Sequence, residues 1–141
     1  MEMKFVKREM EPHVVKVAGG EYPAIFNYRA IIDAQSDLKE WNVSAIPLFL
    51  ESQYDDYGNL KRNSEGNYVI PVSHEVILTL LFHMMRAAGV EVEKEDLFAS
   101  VLPSEEPSLI VQMRNIINAQ GMETEKEESP KNAKTRATTK K

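Results

Sequence analysis

Residues 74 to 88 constrain this chain more than any other stretch. Ser73 is a favoured helix N-cap and Gly89 suits the left-handed residue that follows a helix, so the two bracket a helix of about four turns. Val76, Ile77, Leu80, Leu81, Met84, Ala87 and Ala88 fill one broad stripe, and Phe82 and Met85 carry apolar character onto its flanks. A helix this apolar either lies at the centre of a fold or faces a partner. Phe82, Met84 and Met85 are the candidate partner-binding residues, because methionine repacks against varied surfaces; the alternative for the same three is ordinary core. Self-association follows from the same stripe as an expectation. The apolar run at 76 to 85 is interrupted by Thr79 and His83 and is far shorter than the roughly 20 residues a membrane span requires.

The rest of the chain supplies elements to pack on that helix. Near the start, Phe5-Val6 and His13-Val14-Val15-Lys16-Val17 are β-rich, and Gly19-Gly20 can supply the positive φ angles of a tight hairpin, with Tyr22-Pro23-Ala24-Ile25-Phe26 returning. Pro23 lacks an N–H and predicts an edge or a solvent-facing position there. Asn27 is set to cap a first helix, with Phe26 stapling onto Ile31 and with Tyr28, Ile32, Gln35 and Leu38 at helical spacing, ending near Trp41. A turn capped at Ser44 and a short helix to about Ser52 follow, with Pro47 tolerated in its first turn. Residues 53 to 68 are polar, hold Gly58-Asn59 and Gly66-Asn67, and read as an exposed loop or weak hairpin adding little to the core. Two further helices are expected: one from Glu93 to Val101 with Leu97, Phe98 and Val101 inward, and one opening at residues 104 to 107 and running through Leu109, Ile110, Met113, Ile116 and Ile117 to Gly121.

Beyond Gly121 the composition changes. Residues 122 to 141 hold four glutamates before Pro130 and then five bases without an acid, with too little apolar content to fold. Residues 1 to 121 thus keep eleven bases against eighteen acids, a body near −7 that repels phosphate backbones. The domain plan is one α+β domain at 1 to 121, in which an N-terminal hairpin packs on a bundle of four to five helices, and a disordered charged tail at 122 to 141. The absence of cysteine rules out disulfides and thiolate chemistry in the chain and fits a reducing compartment. With acids and bases interspersed at the N-terminus, the expected location is the cytoplasm, the host's if the protein is viral.

Chemical motifs are sparse. His74 and His83 are nine apart on one helix, about 180° around it, and cannot share a metal ion, while His13 has no ligand beside it. Asp55-Asp56-Tyr57-Gly58-Asn59 resembles the start of a calcium loop, but Leu60 and Gly66 stand where an EF-hand needs glycine and glutamate. No nucleophile elbow, phosphate loop or dinucleotide fingerprint occurs. Asp33, Asp37 and Glu40 could assemble a carboxylate pair, yet acids on one helix usually mark a hydrated face. The reading is a binding protein rather than an enzyme, with no cofactor and no metal. The basic tail has no aromatic side chains for stacking on bases, which favours a tether over a nucleic-acid arm.

Two stretches resemble the tail assembly chaperones of long-tailed, siphovirus-type bacteriophages. One is Val17-Ala-Gly-Gly-Glu-Tyr-Pro-Ala-Ile-Phe-Asn-Tyr-Arg-Ala-Ile-Ile-Asp-Ala-Gln, similar to a glycine-turn hairpin leading into an opening helix; the other is the helical series from 73 to 120. Together they cover a little under half of the chain, and the insertion at 53 to 68 departs from the pattern. The resemblance implies a chaperone that binds the tape measure protein, with the tail tube protein as a second candidate client, and that is absent from the finished particle. It also implies a longer frameshifted product, for which a tail after residue 121 would be a harmless junction. Competing roles are a head-tail connector or minor virion component, and a nucleic-acid-associated regulator acting through the basic tail.

Overall fold

The structure, a computed structural model, describes residues 3 to 122. It is α+β: a two-stranded antiparallel hairpin packed on five α-helices. The expectation of a disordered tail falls on residues that lie outside the described ones, apart from the backbone of Met122.

Strands β1 (His13–Val17) and β2 (Gly20–Ala24) pair Val17 with Gly20 and Val15 with Tyr22. The turn residues are Ala18 (φ 54°) and Gly19 (φ 80°), so the two left-handed positions lie one residue earlier than Gly19-Gly20, and Gly20 belongs to the strand. An alanine is tolerated there because its N–H donates to Glu105 Oε1 at 2.8 Å, which clamps the turn against the segment before the last helix. Counting outward from the closing pair, Pro23 faces Val14 at a position where the ladder asks for no N–H, so its missing donor costs nothing. Val15 and Val17 are buried while Val14 and Lys16 point out, the period-2 pattern of a one-sided strand. The Phe5-Val6 run forms no strand; residues 3 to 12 carry no regular structure.

Helix α1 (Tyr28–Asp37) starts as expected, Asn27 Oδ1 accepting from Ala30 N at 3.0 Å. It stops a turn before Trp41 because Gln35 is committed elsewhere. Its amide donates to the Leu38 and Trp41 carbonyls (3.0 and 2.6 Å) and accepts from Val43 N (3.0 Å), folding the chain back on the helix end. A single 3-10 turn (Val43–Ala45), capped by Asn42 rather than Ser44, leads into α2 (Ile46–Ser52) with Pro47 in its first turn.

Helix α3 (His74–Ala87) is the central element, contacting α1, β2 and α4 (Lys94–Ser100). Ser73 Oγ accepts from Glu75 N, and the far end closes in a Schellman motif: Val90 N donates to Met85 O and Gly89 N to Arg86 O, with Gly89 at φ 95°. A 3-10 turn (Pro103–Glu105) precedes α5 (Glu106–Ile117), which packs on β1 and α2 and runs into a short π-helical turn (Asn118–Met122). One continuous core runs from Val15 to Ile117, with the hairpin held between α5 and α3.

The loop between α2 and α3 is more ordered, and more embedded, than its composition suggests. Asp55-Asp56-Tyr57-Gly58-Asn59 and Asn63-Ser64-Glu65-Gly66-Asn67 build the same turn twice, eight residues apart. In each, the first side chain accepts from the second and fourth following N–H groups, and the glycine takes a left-handed φ (83° and 85°). Asp55 N and Asn63 N each donate to the asparagine carbonyl four residues on, at 2.8 and 2.7 Å. The loop also contributes to the core, because Tyr54 is buried and its hydroxyl accepts from Val72 N at 3.0 Å.

Thr79, on the buried face of α3, is the exception to good packing chemistry: its hydroxyl is buried and, among the described residues, has no hydrogen-bond partner. An unmade buried hydrogen bond costs about 1–3 kcal/mol, and valine has nearly the same shape. Thr79→Val should therefore raise the unfolding free energy by about 1 kcal/mol, read as a higher urea midpoint at unchanged slope.

Candidate functional site

The three residues expected at a partner face are core. Phe82, Met84 and Met85 are all buried, because α3 is enclosed on its flanks as well as on its stripe. The Met84 carbonyl accepts from Ile25 N at 2.9 Å, so even its backbone is used to join α3 to the chain leaving β2. The stripe of α3 is therefore covered by its own chain and gives no ground for self-association.

The histidines separate as their spacing requires. His83 Nε2 lies 2.7 Å from Asp37 Oδ2, and Lys94 Nζ lies 3.0 Å from the same oxygen, so one carboxylate joins α1, α3 and α4. His74 Nδ1 meets Glu106 Oε2 at 2.6 Å, linking the start of α3 to the start of α5 beside an apolar hollow of about 270 Å³ lined by Leu78, Val101, Leu102 and Pro103. His13 is exposed at the start of β1. Of the acids on or near α1, Asp33 pairs with Arg29 across one turn at 3.7 Å, so Asp33 and Asp37 have different partners. Among the described residues, no three His, Asp or Glu side chains are grouped to hold a metal ion.

The Asp37 junction is a structural tie with a pH signature. The hydrogen bond from His83, helped by Lys94, holds the Asp37 carboxyl below its ordinary value of 3.8 against a smaller opposing effect of burial. A carboxylate whose folded value is depressed contributes stability above the unfolded value and loses it as pH falls through the folded one. Asp37 keeps 34% of its side chain in water, so screening holds the contribution under about 1 kcal/mol. Asp37→Asn should thus be less stable than the parent at pH 5 to 6, and urea titrations of the two should converge as pH falls below 3.8.

Exposed apolar side chains mark a different surface. Helix α1 turns its small residues, Ala30 and Ala34, into the core, and this lets it lie close against α3. Ile31 packs partly buried against that core, while two large apolar residues face the other way: Tyr28 is 76% exposed and Ile32 52%, one turn apart on the same face. Leu48 on α2 is exposed as well, and beside it Phe49 meets Trp41 edge to face at 6.1 Å between ring centres. The sequence contained the signal for α1 in the order of small and large residues, but helical spacing alone assigned Tyr28 and Ile32 to the core stripe.

Comparison of the chain with models of known protein families, with curated proteins and with solved structures returns no match. Among the described residues, no helix is long and apolar enough to cross a membrane. The fold and these surfaces define an α+β body with a closed core, polar ties between helices and apolar side chains presented outward.

Proposed function

We propose that the protein is a non-enzymatic binding protein acting as a tail assembly chaperone of a long-tailed bacteriophage, with the tape measure protein as its client and the tail tube protein as a second one. The observation that carries the reading is the outward apolar face of α1, Tyr28 and Ile32, which lies within the stretch that resembles that family. An amphipathic client helix gains about 1.5–3 kcal/mol for each large apolar side chain it covers. The net negative body keeps such a face in solution while it is uncovered.

The test is co-expression of the tape measure protein with the parent chain or with Tyr28→Ser/Ile32→Ser. Both positions are exposed, so the double variant should fold, as circular dichroism will verify. The parent should keep the client soluble and co-purify with it, and the variant should lose most of both effects. Equal client solubility with and without the chain, or the chain at stoichiometric level in purified virions, would overturn the chaperone reading.

A further inference from the structure

The N-terminal arm is the least explained part of the described chain. Met3 and Phe5 are each 92% exposed and Val6 84%, which is unusual for three large apolar residues so close in sequence. Between them and immediately after stand Lys4, Lys7 and Arg8, so residues 3 to 8 combine apolar side chains with three positive charges and no acid. The root of the arm is nevertheless fixed. Gln120 donates through Nε2 to Glu11 O at 2.8 Å while its Oε1 accepts from Phe26 N at 2.9 Å, so the arm begins from a defined point.

At the opposite end of β1 the body carries a hollow of complementary chemistry. About 170 Å³ of space lies beside Ala18, Tyr22, Met85, Val90, Val92 and Leu97, an apolar floor between the hairpin turn, the end of α3 and α4. This hollow shares Val90, Glu91, Val92 and Asp96 with a shallower, more open one of about 680 Å³, whose rim adds Glu93 and Arg86. The floor is apolar, and the rim holds three carboxylates against one guanidinium.

We infer that this groove receives residues 3 to 8 of a second copy of the chain, Phe5 or Val6 entering the apolar hollow while Lys4, Lys7 and Arg8 face Glu91, Glu93 and Asp96. Charge complementarity and the apolar match select the arm as occupant. The exposure of the arm in its own chain selects the second copy: Phe5 and Val6 stay 92% and 84% exposed, and the root is fixed by Gln120 near the His13 end of β1, which leaves the groove at the Ala18 end open to the arm of another chain. Reciprocal exchange of two arms closes a two-fold dimer with no unsatisfied end. The inference is independent of the client reading, since α1 takes no part in the groove.

Sedimentation equilibrium of the full chain tests it first. The parent should dimerise, and Phe5→Ser/Val6→Ser, which alters only exposed side chains, should raise the dimer dissociation constant at least tenfold. Glu91→Lys should weaken the dimer as well, and adding Lys7→Glu to it should restore part of the loss. The natural absence of cysteine supplies the second test. Mixing Val6→Cys with Ser100→Cys, at the edge of the hollow, should form a disulfide-linked heterodimer in excess of either homodimer. A parent that stays monomeric at high concentration, arm substitutions that leave the dimer intact, or a double-cysteine variant that closes only within one chain would each overturn the exchange.

Discussion

Gly58→Ala should cost about 2–5 kcal/mol of stability, while the matching change in the twin turn, Gly66→Ala, should cost only about 1–2. Both glycines hold left-handed φ angles, 83° and 85°, in turns of the same hydrogen-bond pattern, so the backbone penalty is common to both. They differ in what lies next to them. A Cβ on Gly58 would lie 1.9 Å from the carbonyl oxygen of Pro107 in the first turn of α5, whereas one on Gly66 would meet nothing within 4 Å. Backbone cannot swing aside as a side chain can, so either the turn lifts off α5 or the helix start shifts. Urea unfolding of the two variants side by side checks this, with Gly66→Ala as the built-in control for the φ term. Equal losses would mean that the turn does not press on α5.

That contrast also shows where sequence reasoning stops. The Gly-Asn pairs at 58 and 66 are visible to anyone reading the chain, and a turn at each follows from the chemistry of those residues. Nothing local distinguishes them, because Pro107 is nearly fifty residues away. Tyr54 was hidden for a similar reason: a tyrosine beside two aspartates reads as exposed until Val72 N supplies the partner for its hydroxyl. By contrast, the cap at Asn27, the close at Gly89 and the first-turn proline in α2 depend on neighbours in sequence and were all legible. The end of α1 was not, since three hydrogen bonds from Gln35 decide it and a glutamine at helical spacing looks like any other surface residue.

The candidate surface was misplaced by the same limitation. Apolar density along α3 says that the helix is covered but not by what, and here α1, β2 and α4 of the same chain do it. Helix α1 needed the opposite inference. Its two alanines are what allow close approach to α3, and Tyr28 and Ile32 on the other side face out. Size order around a helix is therefore more informative about a binding face than the number of apolar residues on it.

Arg114→Met should destabilise the fold by about 3 kcal/mol. From α5 its guanidinium donates to three carbonyls, Leu50 and Tyr54 at 3.1 Å and Asp55 at 2.7 Å, closing the end of α2 and the start of the loop. Hydrogen bonds to a charged donor contribute about 1.5–3 kcal/mol each but do not add when they share one side chain. Arg114→Lys should recover less than half of the loss, because one ammonium cannot reproduce the planar fork across three acceptors. Arg114 lies seven residues after Pro107, two turns along the same face of α5, so it and Gly58 hold the same loop segment at two points. A double-mutant cycle should then be less than additive: once Gly58→Ala has lifted the turn, part of what Arg114 holds is already lost. Measured by urea unfolding, the shortfall should exceed about 0.5 kcal/mol. Strict additivity would mean that the two contacts fasten the loop independently, each through its own part of residues 54 to 58.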